Sequence, residues 1–122
     1  MRLTPVQQQL VPRLVHRHFG QRARVWLFGS RVDDRARGGD FDFLVRCDDL
    51  SATGLVQAKM NLLVDLHDSP DFEDERLDVV LYSTLLDPQP RPVHQAALTE
   101  GVDLARLVWG SSGKLRQKKS GP

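Results

Sequence analysis

Apolar positions near the start of the chain recur at helical spacing. Val6, Leu10 and Leu14, with Val11 and Val15 beside them, follow a Thr4-Pro5 start signal and stop at Gly20, which predicts an amphipathic helix over residues 5–19. The pattern then changes. ARVWLFG (23–29) is a short bulky run that ends at Gly29-Ser30 and reads as a strand buried on both sides. RVDDRARGG (31–39) is polar and ends in glycine, so it reads as a loop or a short helical turn. DFDFLVR alternates strictly, with Asp40, Asp42 and Leu44 on one face and Phe41, Phe43 and Val45 on the other, the period of a strand.

From Ser51 a helical pattern carrying Leu55, Met60, Leu62, Leu63 and Leu66 runs to His67, where Asp68-Ser69-Pro70 closes it. LDVVLYS (77–83) is a third strand candidate. The Pro-rich DPQPRP then turns the chain into a last helix ending near Gly101, and VDLARLVW is read as a further strand. The order helix, strand, loop, strand, helix, strand, helix predicts an α/β domain with one small sheet. Residues 1–109 form that domain, and 110–122 are expected to be a flexible basic tail.

Composition narrows the class. With 122 residues the chain has room for one compact domain, and 40% apolar with 27% charged residues is the balance of a folding globular protein. The net charge of +1 arises from Lys114, Arg116, Lys118 and Lys119, so residues 1–109 are mildly acidic and offer no support for sequence-independent nucleic-acid binding. A single cysteine, Cys47, excludes an internal disulfide and a thiolate zinc cluster; it reads as a structural thiol. No apolar run reaches the roughly 20 residues that span a bilayer, and the N-terminus lacks a signal-peptide core, so a cytoplasmic location is expected.

Chemistry concentrates in GSRVDDRARGGDFDFLV (29–45). Gly29 allows close approach of backbone to a ligand, and Ser30 offers a hydroxyl and caps a turn whose free N–H groups suit an anion, the makings of a phosphate seat. Asp40 and Asp42, two apart on a strand, have Cα atoms roughly 6.5–7 Å apart and project from one face. Two such carboxylates about 5 Å apart at an effective dielectric of about 20 repel by on the order of 3 kcal/mol, which a bound cation relieves. Mg²⁺ suits carboxylate oxygens combined with substrate phosphates. Asp78, inside the apolar LDVVLYS run, is the candidate third carboxylate, and a structural ion pair with an arginine is the alternative.

These residues resemble the signature of minimal nucleotidyltransferases of the DNA polymerase β superfamily, Gly-Ser followed about ten residues later by Asp-x-Asp. The resemblance spans roughly residues 20–104 and implies a small mixed sheet flanked by helices. It also implies that Gly29 and Ser30 hold a nucleoside triphosphate, ATP, that Asp40 and Asp42 bind two Mg²⁺ ions, and that Asp78 assists the attacking hydroxyl. EGVDLARL (100–107) resembles the family's closing segment. Two departures stand out: nine residues separate Ser30 from Asp40 where many members have ten, and Phe41 and Phe43 replace the usual aliphatic residues. Members this small commonly act as antitoxins beside a helical HEPN toxin, adenylylating a tyrosine of that partner or binding it. A catalytically silent masking module and a small-molecule or RNA nucleotidyltransferase are the alternatives.

Arg31, Arg35 and Arg37 stand among Asp33 and Asp34, and local charge balance weighs equally with phosphate binding, so they carry no assigned role. His16, His18, His67 and His94 are read as surface residues.

Overall fold

A computed structural model describes residues 1–33 and 39–109. The first helix, α1 (Pro5–Phe19), starts as its sequence requires. Thr4 Oγ1 accepts from the Gln7 N–H at 3.1 Å, and Gln7 Oε1 accepts from the Thr4 N–H at 2.9 Å, a reciprocal cap that satisfies two otherwise free donors. Gln7 Nε2 also donates to the Asp71 carbonyl at 2.8 Å, fastening the helix start to the segment before the third strand.

After α1 come β1 (Arg24–Phe28), a single 3₁₀ turn (Gly29–Val32), β2 (Phe41–Arg46) and α2 (Ala52–His67). The chain continues through β3 (Leu77–Tyr82), α3 (Pro92–Glu100), β4 (Val102–Asp103) and α4 (Leu104–Trp109). The strands form one sheet in the order β3-β2-β1-β4. β2 and β3 are parallel, joined by the α2 crossover, and β1 is antiparallel to both β2 and β4. This is an α/β arrangement of four helices and a mixed four-stranded sheet with one parallel pair, as the order of predicted elements requires at the coarse level.

The alternation in β2 divides its residues between two cores. Phe41, Phe43 and Val45 enter the main core with Val11, Leu14, Val15 and Phe19 of α1 and Leu55, Ala58, Leu62 and Leu66 of α2. Phe41 and Phe43 stack with centroids 6.3 Å apart, and Phe72 meets Phe41 edge-on at 5.2 Å. Burying each such ring stabilises by roughly 1.5–3 kcal/mol. Leu44 faces the other way, into a smaller cluster with Tyr82 and Ala97, against which Trp26, Phe28, Val80 and Leu98 pack. The helix α3 therefore covers the sheet face opposite α1 and α2.

Two readings need correction. Met60 is 54% exposed, because the buried ridge of α2 is Leu55, Ala58, Leu62 and Leu66 and Met60 lies about 200° around the helix from Leu62. VDLARLVW is strand for only two residues, where Val102 and Asp103 pair with Leu27 and Trp26, and is helical from Leu104. Asp103 ends the strand itself: its Oδ1 accepts from the Arg106 N–H at 3.1 Å, the role of an N-cap, and Leu104 and Ala105 are buried behind it. Among the described residues, no helix is long and apolar enough to cross a membrane. The expected tail at 110–122 lies outside the described residues.

Candidate active site

The three predicted carboxylates come from the β1–β2 connection and the adjoining ends of β2 and β3. In the parallel pair, Asp42 stands directly beside Asp78. Neighbouring strands are about 4.8 Å apart, and register partners in a parallel pair project to the same face, so both side chains share the face that carries Leu44 and Val80. Asp40 immediately precedes β2 and lies two residues before Asp42. The β1 partner of Asp42 is Phe28, the last residue before the Gly29–Val32 turn. Strand pairing thus brings Gly29, Asp42 and Asp78 to one end of the sheet.

Electrostatics follow from that placement. Asp42 is half-buried, and loss of solvent pushes its carboxyl above the ordinary carboxylate value, with Asp78 and then Asp40 adding like-charge repulsion. Asp40 and Asp78 are exposed. Among the described residues, no ion pair neutralises Asp40, Asp42 or Asp78, so the arginine partner weighed for Asp78 is not found there.

The loop entering the site is tightly fitted. Gly29 has φ +79°, and a Cβ placed on it would lie 2.5 Å from Asp42 Oδ2. Gly39 has φ +92°, and a Cβ on it would strike Ser30 Oγ. The start of the connection therefore lies against its end and against the first residues of β2: Ser30 against Gly39, and Gly29 against the Asp42 side chain. Both glycines are needed for the left-handed backbone and for the absence of a side chain.

Carboxylate oxygens are the donor type that a hard divalent cation takes. Asp78 and Asp40 both add negative charge beside Asp42, and Mg²⁺ takes such carboxylate oxygens together with substrate phosphates. No group of three His, Cys, Asp or Glu side chains among the described residues forms a ready-made cage.

Arg2 and Arg31 are site-shaping residues that the sequence reading did not assign. Arg31 is mostly buried, with its guanidinium carbon 3.9 Å from the Phe41 ring centroid. Its Nε is sealed from solvent without a hydrogen-bond partner among the described residues. Adjacency to Ser30 was the available signal for Arg31; Arg2 offered none, because its contact with the loop is long-range. Asp34, Arg35 and Arg37 lie outside the described residues.

The histidine reading is corrected at position 94. His94 is fully buried, its ring tilted against Tyr82 with centroids 4.7 Å apart, with Nδ1 accepting from the Arg91 N–H at 3.1 Å and Nε2 3.1 Å from the Leu81 carbonyl oxygen. Its burial results from the docking of α3 over β1 and β2, from which the ring reaches Leu81 and Tyr82 of β3. His16 and His18 are partly buried and point to different partners, the Ala23 carbonyl and Asp65. Cys47 is buried and donates to the Phe19 carbonyl at 3.5 Å, a structural role.

No protein-family model matches this chain, and no curated protein sequence matches it.

Proposed function

We propose that this chain is a Mg²⁺-dependent nucleotidyltransferase with a polymerase β-like fold, which transfers AMP from ATP to a hydroxyl. The observation that carries the reading is the side-by-side placement of Asp42 and Asp78, with Asp40 two residues away and Gly29 pressed against the Asp42 carboxylate. The Gly-Ser and Asp-x-Asp resemblance supports it from the sequence.

In this mechanism the acceptor hydroxyl oxygen bonds to the α-phosphorus as the bond between the α-phosphorus and the bridging oxygen breaks, and pyrophosphate leaves with that electron pair. Gly29 and Ser30 seat the phosphates through backbone N–H groups and the Ser30 hydroxyl. Asp78, exposed at the outer strand, accepts the acceptor's proton. Asp40 and Asp42 would hold the divalent cations, which supply charge neutralisation at the attacking and leaving oxygens. The acceptor we propose, from the resemblance, is a tyrosine of a helical HEPN toxin, which makes this chain the antitoxin.

A non-catalytic module that masks such a partner is the second reading. It is favoured by the apolar stripe of Val56, Met60 and Val64, exposed along α2. Calorimetric titration of Mg²⁺-ATP into the folded wild type and an Asp40→Asn, Asp42→Asn double variant separates the two. Metal-dependent binding lost in the variant supports the enzyme; absence of binding in the wild type defeats it.

A further inference from the structure

We propose that Arg31 is a positioning residue that, together with Arg2, clamps the two described ends of the β1–β2 connection, residues 29–33 and 39–40, against each other as a phosphate seat. For its consequence on nucleotide binding this rests on the nucleotidyltransferase reading; the clamp itself does not. The contacts reach both ends of the connection. Arg31 Nη2 donates to the Gly39 carbonyl at 3.4 Å, and its Nη1 donates to the Arg2 carbonyl at 3.4 Å. The same guanidinium lies over Phe41, the first residue of β2, and stands 3.6 Å from Glu75 Oε1, two residues ahead of β3.

Arg2 completes the arrangement from the N-terminal side. Its backbone N–H donates to the Arg31 carbonyl at 2.7 Å, its Nη2 to the Ser30 carbonyl at 3.0 Å and its Nε to the Asp33 carbonyl at 3.2 Å. Four carbonyls of the connection, at Ser30, Arg31, Asp33 and Gly39, are therefore engaged by these two residues. A carbonyl oxygen turned toward a phosphate repels it. Holding these lone pairs on arginine N–H groups removes that repulsion and holds Asp40 beside the turn that carries Ser30.

The arrangement uses features that lysine lacks. A planar fork donates to two carbonyls at once while its face rests on an aromatic ring, whereas an ammonium keeps only the charge. An electrostatic role for Arg31 predicts rescue by lysine, and a positioning role predicts none.

Native-state hydrogen exchange on the full chain, wild type against Arg31→Lys, tests the clamp without any ligand. The Arg2 amide and the Asp33 amide, which donates to the Ser30 carbonyl at 3.2 Å, are expected to exchange at least about tenfold faster in the variant. The α2 amides of Leu62 and Leu66 are expected to keep their wild-type rates. Unchanged loop rates, or uniform acceleration throughout the chain, would overturn the proposal. If Arg31→Lys does not fold, Arg2→Ala removes the other half of the clamp and is read at Asp33 in the same way.

Mg²⁺-ATP titration supplies the functional readout, with an expected loss of about tenfold or more in affinity for Arg31→Lys. Wild-type affinity in that variant overturns the positioning role. Failure of the wild type to bind Mg²⁺-ATP instead defeats the nucleotidyltransferase reading, while the exchange rates still decide the clamp.

Discussion

Gly29 and Asp42 are fitted to each other so closely that a Cβ on the glycine would stand 2.5 Å from Asp42 Oδ2. The glycine also holds φ +79°, a conformation that costs a side-chain-bearing residue roughly 1–2 kcal/mol. Gly29→Ala is therefore expected to destabilise the fold by about 2 kcal/mol or more, since displacement of the Asp42 carboxylate adds to the backbone cost. Urea denaturation measures this, and a midpoint equal to wild type would show that the turn relaxes freely.

Asp42 predicts a stability that opposes function. Its carboxyl titrates higher in the folded chain than in the unfolded one, so the folded state holds more protons just above the ordinary carboxylate range. Stability therefore falls as pH rises through that window, and the full penalty is present at neutral pH. Asp42→Asn is expected to raise metal-free stability at pH 7, with the difference vanishing below the ordinary carboxylate range. Thermal melts in chelator across pH 3–8 check the sign; equal or lower stability of the variant at neutral pH refutes it.

Asp78 is assigned a different task from its neighbours. Asp78→Asn is expected to retain Mg²⁺-ATP binding within about tenfold while turnover on the acceptor falls by about 10²–10⁴, the usual contribution of a positioned base. Binding and turnover measured on one preparation reveal whether the two separate. A proportional loss of both would instead make Asp78 a ligand of the metal.

Phe72 joins the connection before β3 to the main core. It is fully buried, with its ring edge-on to Phe41 at 5.2 Å and to Phe43 at 6.4 Å. Phe72→Ala is expected to cost about 3–5 kcal/mol. Denaturant midpoints provide the measure, and a loss under 1 kcal/mol would mean that the core collapses into the space.

His94 ties α3 to the sheet through Nε2, which meets the Leu81 carbonyl of β3, while its Nδ1 caps the start of α3 at the Arg91 N–H. His94→Leu keeps an apolar filling but leaves the Arg91 N–H and the Leu81 carbonyl without their ring partners. An expected loss of about 1–3 kcal/mol follows, accompanied by faster hydrogen exchange in α3 than in α2. Unchanged α3 exchange would show that the helix is held by Ala97 and Leu98 alone.

Element types and faces in this protein were legible locally. The Thr4-Pro5 start, the helix beginning at Ser51 and the alternation through Phe41–Arg46 depend on backbone geometry over a few residues, and each appears in the fold. The common face expected for Asp40 and Asp42 rests on the same period of two, although β2 itself begins at Phe41. Local pattern failed where a tertiary contact decided the outcome: Asp103 is both strand partner and helix cap, and His94 is buried because α3 lies on the sheet.

The amino-acid sequence by itself determined the succession of helices and strands as far as α3, the two faces of β2 and the identity of the acidic candidates. Tertiary structure alone decided that Asp78 stands beside Asp42, that Gly29 rests against the Asp42 carboxylate and that Arg2 reaches Ser30, 28 residues away. Periodicity and capping are properties of neighbours in the chain. Strand register is a property of distant segments, and because a slip of one residue reverses every side chain, only the packed sheet could assign Asp78 to its face.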